Sequence, residues 1–287
     1  MSHYDDQSTE YVIDINSGAE TARLMEQDKL FTRALGGLFP PVFDLSPAQT
    51  ILDLGCGPGG WALEVAFTYP HMQVVGIDKN EGIVRYALAQ ARIQQRENVT
   101  FEVMDIREGL DFPSCSFDMI NARFIVGFMD TSSWSQVLTE CRRILKPGGI
   151  FLITEGETGI STSPSLQHLN RSLALAFKQQ GRSFSADGVT IGITHMLKKL
   201  LIDAGFQLVT QRPFILDASF DSEFYYSFYR EVEITFMLLK PYLLASGVLD
   251  ENTFTTWYTQ VLREMREESF TSITYGLSVW GVSPTSQ

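Results

Sequence analysis

Between residues 50 and 155, short apolar runs alternate with stretches of helical period, and this alternation constrains the fold more than any other feature. Ile51-Leu52-Asp53-Leu54 reads as a strand that runs straight into the glycine cluster Gly55-Cys56-Gly57-Pro58-Gly59-Gly60. Trp61, Ala62, Val65, Ala66 and Tyr69 follow at helical spacing, and Gln73 to Asp78 is a second strand. Ile83, Val84, Ala87 and Ala91 mark the next helix, Val99 to Met104 a third strand, and Phe117 to Asn121 a fourth. Trp134, Val137, Leu138, Cys141 and Leu145 form a helical stripe closed by Lys146-Pro147-Gly148-Gly149, before a fifth strand from Ile150 to Thr154. Strands that alternate with helices at this spacing are βαβ units, whose strands pair in parallel. The first half therefore predicts an α/β fold with a Rossmann-like, doubly wound sheet.

The second half is less regular. Leu166 to Gln179 and His195 to Ala204 read as helices, the latter with Thr194 at its N-cap and Gly205 just past its end. Phe206 to Leu216 reads as a strand, and Phe270 to Val282 alternates as a final one. Residues 220–266 are helical in pattern and rich in aromatics, with Phe224, Tyr225, Phe228 and Tyr229 on one helix face. That face suits packing on the core, packing on a second subunit, or a water-poor ligand pocket. Near the start, Leu24, Phe31, Leu35 and Leu38 keep helical spacing until Pro40-Pro41. The expected organisation is a helical cap over residues 1–40 and one domain over 41–287. Insertions at about 157–190 and 217–268 serve that domain as a lid.

Charge and cysteine usage narrow the partners. The 287 residues carry 22 Lys+Arg against 34 Asp+Glu, a net charge of −12, which opposes a nucleic-acid partner. No apolar run reaches the roughly 18 residues of a membrane span, and the first residues form no apolar leader core. Cys56, Cys115 and Cys141 lack metal-ligand spacing, and no cluster of His, Asp and Glu suggests a metal centre. The expectation is a cytoplasmic, reduced protein without membrane or metal partners.

Gly55, Gly57 and Gly60 satisfy G-x-G-x-x-G, a pattern shared by several nucleotide-binding turns. Two neighbours oppose a diphosphate ligand. Asp53 puts a carboxylate beside the turn, and Pro58 removes one N–H that would cradle phosphate. A ligand with an ammonium group and no phosphate fits better. The run ILDLGCGPGGWALEVA resembles the cofactor motif of class I S-adenosylmethionine-dependent methyltransferases, particularly their small-molecule branch. VVGID, VMDI, SFDMINARF and LKPGGIFLI follow in that family's order.

The resemblance implies a seven-stranded sheet whose last strand is antiparallel, with S-adenosyl-L-methionine as cofactor. It places Asp53, Gly55, Cys56 and Gly57 in the cofactor turn. Asp78, followed by Lys79, would meet the ribose hydroxyls, Asp105 and Ile106 the adenine, and Asn121 the methionine moiety. Arg123, Glu155 and Glu157, near strand ends, are candidates for contact with a small-molecule acceptor. His168 and His195 are weaker candidates for a base. Tyr11 and the helix bearing Arg23 and Gln27 would close over the cofactor. The aromatic insertion would serve either that acceptor or a homodimer contact. A nicotinamide-dependent oxidoreductase and a non-catalytic S-adenosylmethionine-binding protein are the competing readings.

Overall fold

A computed structural model describes residue 13 and residues 18–285. Helix α1 (Gly18–Leu35) precedes β1 (Thr50–Leu54), α2 (Gly60–Thr68), β2 (Gln73–Asp78), α3 (Glu81–Ile93), β3 (Val99–Val103) and β4 (Phe117–Arg123). Then come α4 (Ser133–Ile144), β5 (Leu145–Gly156), the two-residue β6 (Ile160–Ser161), α5 (Pro164–Gln179), α6 (Thr194–Asp203) and β7 (Gln207–Asp217). Helices α7 (Tyr225–Ala245) and α8 (Glu251–Glu264) lead to β8 (Ser272–Val282). The sheet runs β3-β2-β1-β4-β5-β8, with β7 beyond β8 and β6 at one end of β8. Strands β1 to β5 pair in parallel, while β8 is antiparallel to β5, β6 and β7. This is the expected doubly wound sheet with its antiparallel last strand, with eight strands in place of seven because the two-residue β6 pairs with β8.

Strand alternation divides the core between two faces. Ile51, Met119 and Leu152 pack with Trp61, Val84 and Ala87 of α2 and α3. Leu52, Ile120 and Ile153 point the other way, into Trp134 and Val137 of α4 and Leu197 of α6. Period two in the strands and 3.6 in the helices thus meet at both faces.

Helices α5, α7 and α8 build a third core of their own around Leu169, Val232, Phe236, Leu243, Val261 and Met265. The aromatic face of α7 turns into this assembly. Tyr225 Oη donates to the Met265 carbonyl at 2.9 Å, and Arg266 donates to Tyr229 Oη at 2.6 Å. Phe224 and Phe228 pack near Leu30 and Leu216. None of the four borders either cavity described below, and all four have packing contacts within the chain.

Local differences from the sequence reading have simple causes. Strand β5 begins at Leu145, because Phe117 pairs with Leu145 ahead of the Pro-Gly-Gly turn. Thr194 is the first helical residue of α6 and Ile193 its N-cap, since the carboxylate that satisfies this helix end comes from Glu157. Among the described residues no helix is long and apolar enough to cross a membrane.

Candidate active site

The chain leaves β1 through a turn that only glycines allow. The Cys56 N–H donates to the Ile77 carbonyl at 2.9 Å, tying the turn onto β2. Gly59 enters α2 at φ 82°, and a Cβ there would stand 2.7 Å from the Phe101 ring. Both the left-handed backbone and the close approach exclude a side chain.

A cleft opens over the carboxyl ends of β1, β2 and β4, where parallel sheets hold ligands. Its floor includes Asp53, Gly55, Cys56 and Gly57, with Asp78 and Lys79 at the end of β2 and Asp105 and Ile106 beyond β3. Arg123 at the end of β4, with Phe124 and Phe128 beyond it, forms the wall, and α1 covers the opening with Leu24, Gln27 and Asp28. Of the residues assigned to the cofactor from sequence, all but Asn121 line this one space.

Two carboxylates dominate its electrostatics. Asp53 is 4% exposed, and burial pushes its pKa up to about 7 despite one bond from Asn121 Nδ2 at 2.8 Å. Asp78 receives the Gly57 N–H on Oδ2 at 3.1 Å and the Asn80 N–H on Oδ1 at 2.9 Å. Burial still raises its pKa. Asp105 is held below the usual carboxylate range by Arg107, whose Nε donates at 3.0 Å. Arg123 pairs with Asp28 of α1 and donates to Thr32 Oγ1 at 2.9 Å. Burial lowers the Arg123 pKa to about 9.

The other predicted residues lie elsewhere. Asn121 stands behind Asp53, which it meets across the β1–β4 pairing, and lines a second cavity. Glu155 is fully buried and accepts the Ile125 and Val126 N–H groups at 2.8 and 3.1 Å, capping a short 3-10 turn after β4. Glu157 accepts the Gly192 and Thr194 N–H groups at 3.0 and 3.1 Å. Neither glutamate lines the cleft; backbone donors hold Glu155 through Oε1 and Glu157 through both oxygens. His168 lies against the Trp257 ring in the helical assembly, and His195 is exposed on α6. Tyr11 lies outside the described residues. Sequence reasoning missed Asp28, because its partner Arg123 is 95 positions away and no local pattern joins them.

Residues 51–149 match the methyltransferase domain family. That stretch, about a third of the chain, carries a methyltransferase domain. That match spans the glycine turn, Asp53, Asp78 and the Pro-Gly-Gly segment of β5. Methyltransferase str2 of Strobilurus tenacellus is 26% identical over 197 residues, covering 69% of this chain and 61% of that protein. Demethylmenaquinone methyltransferase of Lactococcus lactis is 30% identical over 130 residues, or 45% and 48% of the two chains. The chain thus spans between about half and three fifths of the length of these two relatives. In fold, it is similar to phosphoethanolamine N-methyltransferase 2 of Haemonchus contortus in complex with S-adenosyl-L-methionine. The TM-score is 0.53 at 19% identity, over 94% of this chain and 57% of that one.

Proposed function

We propose that the protein is an S-adenosylmethionine-dependent methyltransferase acting on a small, largely apolar or aromatic molecule. The observation that carries this reading is the pair of buried carboxylates, Asp53 and Asp78, flanking the glycine turn in one cleft. Each Asp78 oxygen already accepts one backbone N–H, and each keeps a lone pair for a hydroxyl of a vicinal diol. Asp53, whose ionised form burial disfavours, suits an ammonium partner. A dinucleotide would bring its diphosphate against Asp53 beside the glycine turn, which weighs against the oxidoreductase reading.

Such a cofactor supplies an activated methyl carbon and a neutral thioether leaving group. The chain has to align the acceptor and exclude water. Leu24 of α1, Trp61 of α2 and Phe128 offer the apolar surface for that exclusion. Arg123 is the predicted acceptor contact whose side chain reaches the cleft.

Calorimetric titration with S-adenosylhomocysteine and with reduced nicotinamide dinucleotide tests the cofactor. S-adenosylhomocysteine should bind at one site, and Asp78→Ala should weaken it at least about tenfold through loss of charge-assisted bonds. Binding of the dinucleotide alone would replace the reading. A protein that binds S-adenosylmethionine yet releases no S-adenosylhomocysteine with any acceptor would be the non-catalytic alternative.

A further inference from the structure

A second cavity, of about 220 Å³, lies on the face of the sheet that carries Asp53 and Asn121, behind Arg123. Arg123 borders both spaces, so its ion pair with Asp28 stands between them. The floor follows from strand register. Arg123 pairs with Thr154, Thr154 with Ser278, and Ser278 with Arg212, giving one polar row across β4, β5, β8 and β7. At about 4.8 Å per strand the two arginines are roughly 14 Å apart along the row. The roof is apolar, built by Leu35 and by Leu38 and Phe39 just beyond α1.

Three features of this floor point to a ligand. Asn121 is 0% exposed; it gives its Nδ2 to Asp53, yet its buried Oδ1 has no partner. Thr154 Oγ1 and Ser278 Oγ, both nearly buried, lie 2.8 Å apart. One hydroxyl hydrogen joins the pair, so the other needs an acceptor that the protein does not show. At the mouth, Arg212 is exposed and makes no ion pair among the described residues, in a chain of net charge −12. Unsatisfied buried polar atoms are costly, and an accessible cavity that collects them is built for polar groups on a guest.

We propose that this second cavity is the acceptor site, and that it takes an organic carboxylate with a flat or extended apolar body. The carboxylate sits on the Arg212 fork, the body lies between the Leu38 roof and the hydroxyl pair, and the far end reaches Asn121 and Arg123 beside the cofactor cleft. The proposal rests on the methyltransferase reading for the word acceptor, but the cavity and its carboxylate preference are testable without turnover.

The probes are octanoate and its neutral counterpart octan-1-ol, titrated calorimetrically into the full chain saturated with S-adenosylhomocysteine. Octanoate should bind at one site, and Arg212→Gln should weaken it about tenfold while changing octanol less than about twofold. Leu38→Trp, which fills the roof, should abolish binding of both probes and leave S-adenosylhomocysteine affinity unchanged. Leu35→Trp fills the same space should the first variant fail to fold. Octanoate binding that survives a filled cavity in a folded variant would overturn the proposal, as would equal losses of octanoate and octanol in Arg212→Gln, or no octanoate binding at all. Failure of S-adenosylhomocysteine to bind the wild-type chain would instead sink the cofactor reading.

Discussion

Asp53 keeps its proton up to about pH 7 because Asn121 supplies a single hydrogen bond against nearly complete burial. A ligand that presents an ammonium group must meet the ionised form, so binding below that pH has to release the proton first. Affinity for S-adenosylhomocysteine is therefore expected to level off above about pH 7 and to fall toward tenfold per pH unit below it. Asp53→Asn should be weaker at high pH and should lose the slope; a parallel slope in the variant would assign the titration elsewhere. Glu155 shows the same physics in a structural role, with burial pushing its pKa up to about 8. The folded state holds this proton while the unfolded chain has lost it. Stability should thus decline as pH rises from the ordinary glutamate range to about pH 8. A glutamine at this position would not titrate. Urea unfolding of Glu155→Gln at a series of pH values should show the variant gaining on wild type across that window. A constant difference would show that Glu155 is not the titrating group.

At the scale of elements, α1 is the part that turns an open strand-end crevice into a cleft. It is held on one side by Glu231 of α7, which accepts from Gln27 Nε2 at 2.8 Å and from Arg23. On the other side Asp28 meets Arg123. Asp28→Ala would leave a buried guanidinium without its counter-charge. The expected cost is about 3 kcal/mol in urea unfolding, and Asp28→Ala with Arg123→Met should recover much of it, because the uncompensated charge is the larger penalty. If the double variant were as unstable as the single one, the loss would come from α1 packing and not from charge.

For the whole molecule, the arrangement predicts unequal responses to ligand. The cleft touches the ends of β1, β2 and β4 and the middle of α1, whereas the core of α5, α7 and α8 has its own apolar contacts. Adding S-adenosylhomocysteine should slow amide hydrogen exchange in residues 20–35 and 53–60. The α8 amides should change little, and the melting temperature should rise with ligand concentration. Uniform slowing across all helices would mean that the helical assembly and the sheet open as one unit.

The strand–helix alternation, the glycine turn and the carboxylates at its edges could be read from sequence because each is local. A strand of period two, a turn needing left-handed backbone and an acidic strand end all leave their mark within a few residues. Asp53, Asp78, Asp105 and Ile106 were legible for that reason, and the structure brings them into one cleft. Glu155 and Glu157 show the limit. Their position near a strand end suggested a ligand, but the partners seen are the backbone N–H groups of residues 125, 126, 192 and 194 and the Thr194 hydroxyl, which chain topology alone delivers. The same holds for Asp28 against Arg123, and for the row Arg123, Thr154, Ser278 and Arg212, which exists only through the register of four strands. Sequence determined the sheet and its nucleotide turn. Tertiary structure decided which charges are neutralised and which remain for a ligand, because burial and long-range pairing set those energies.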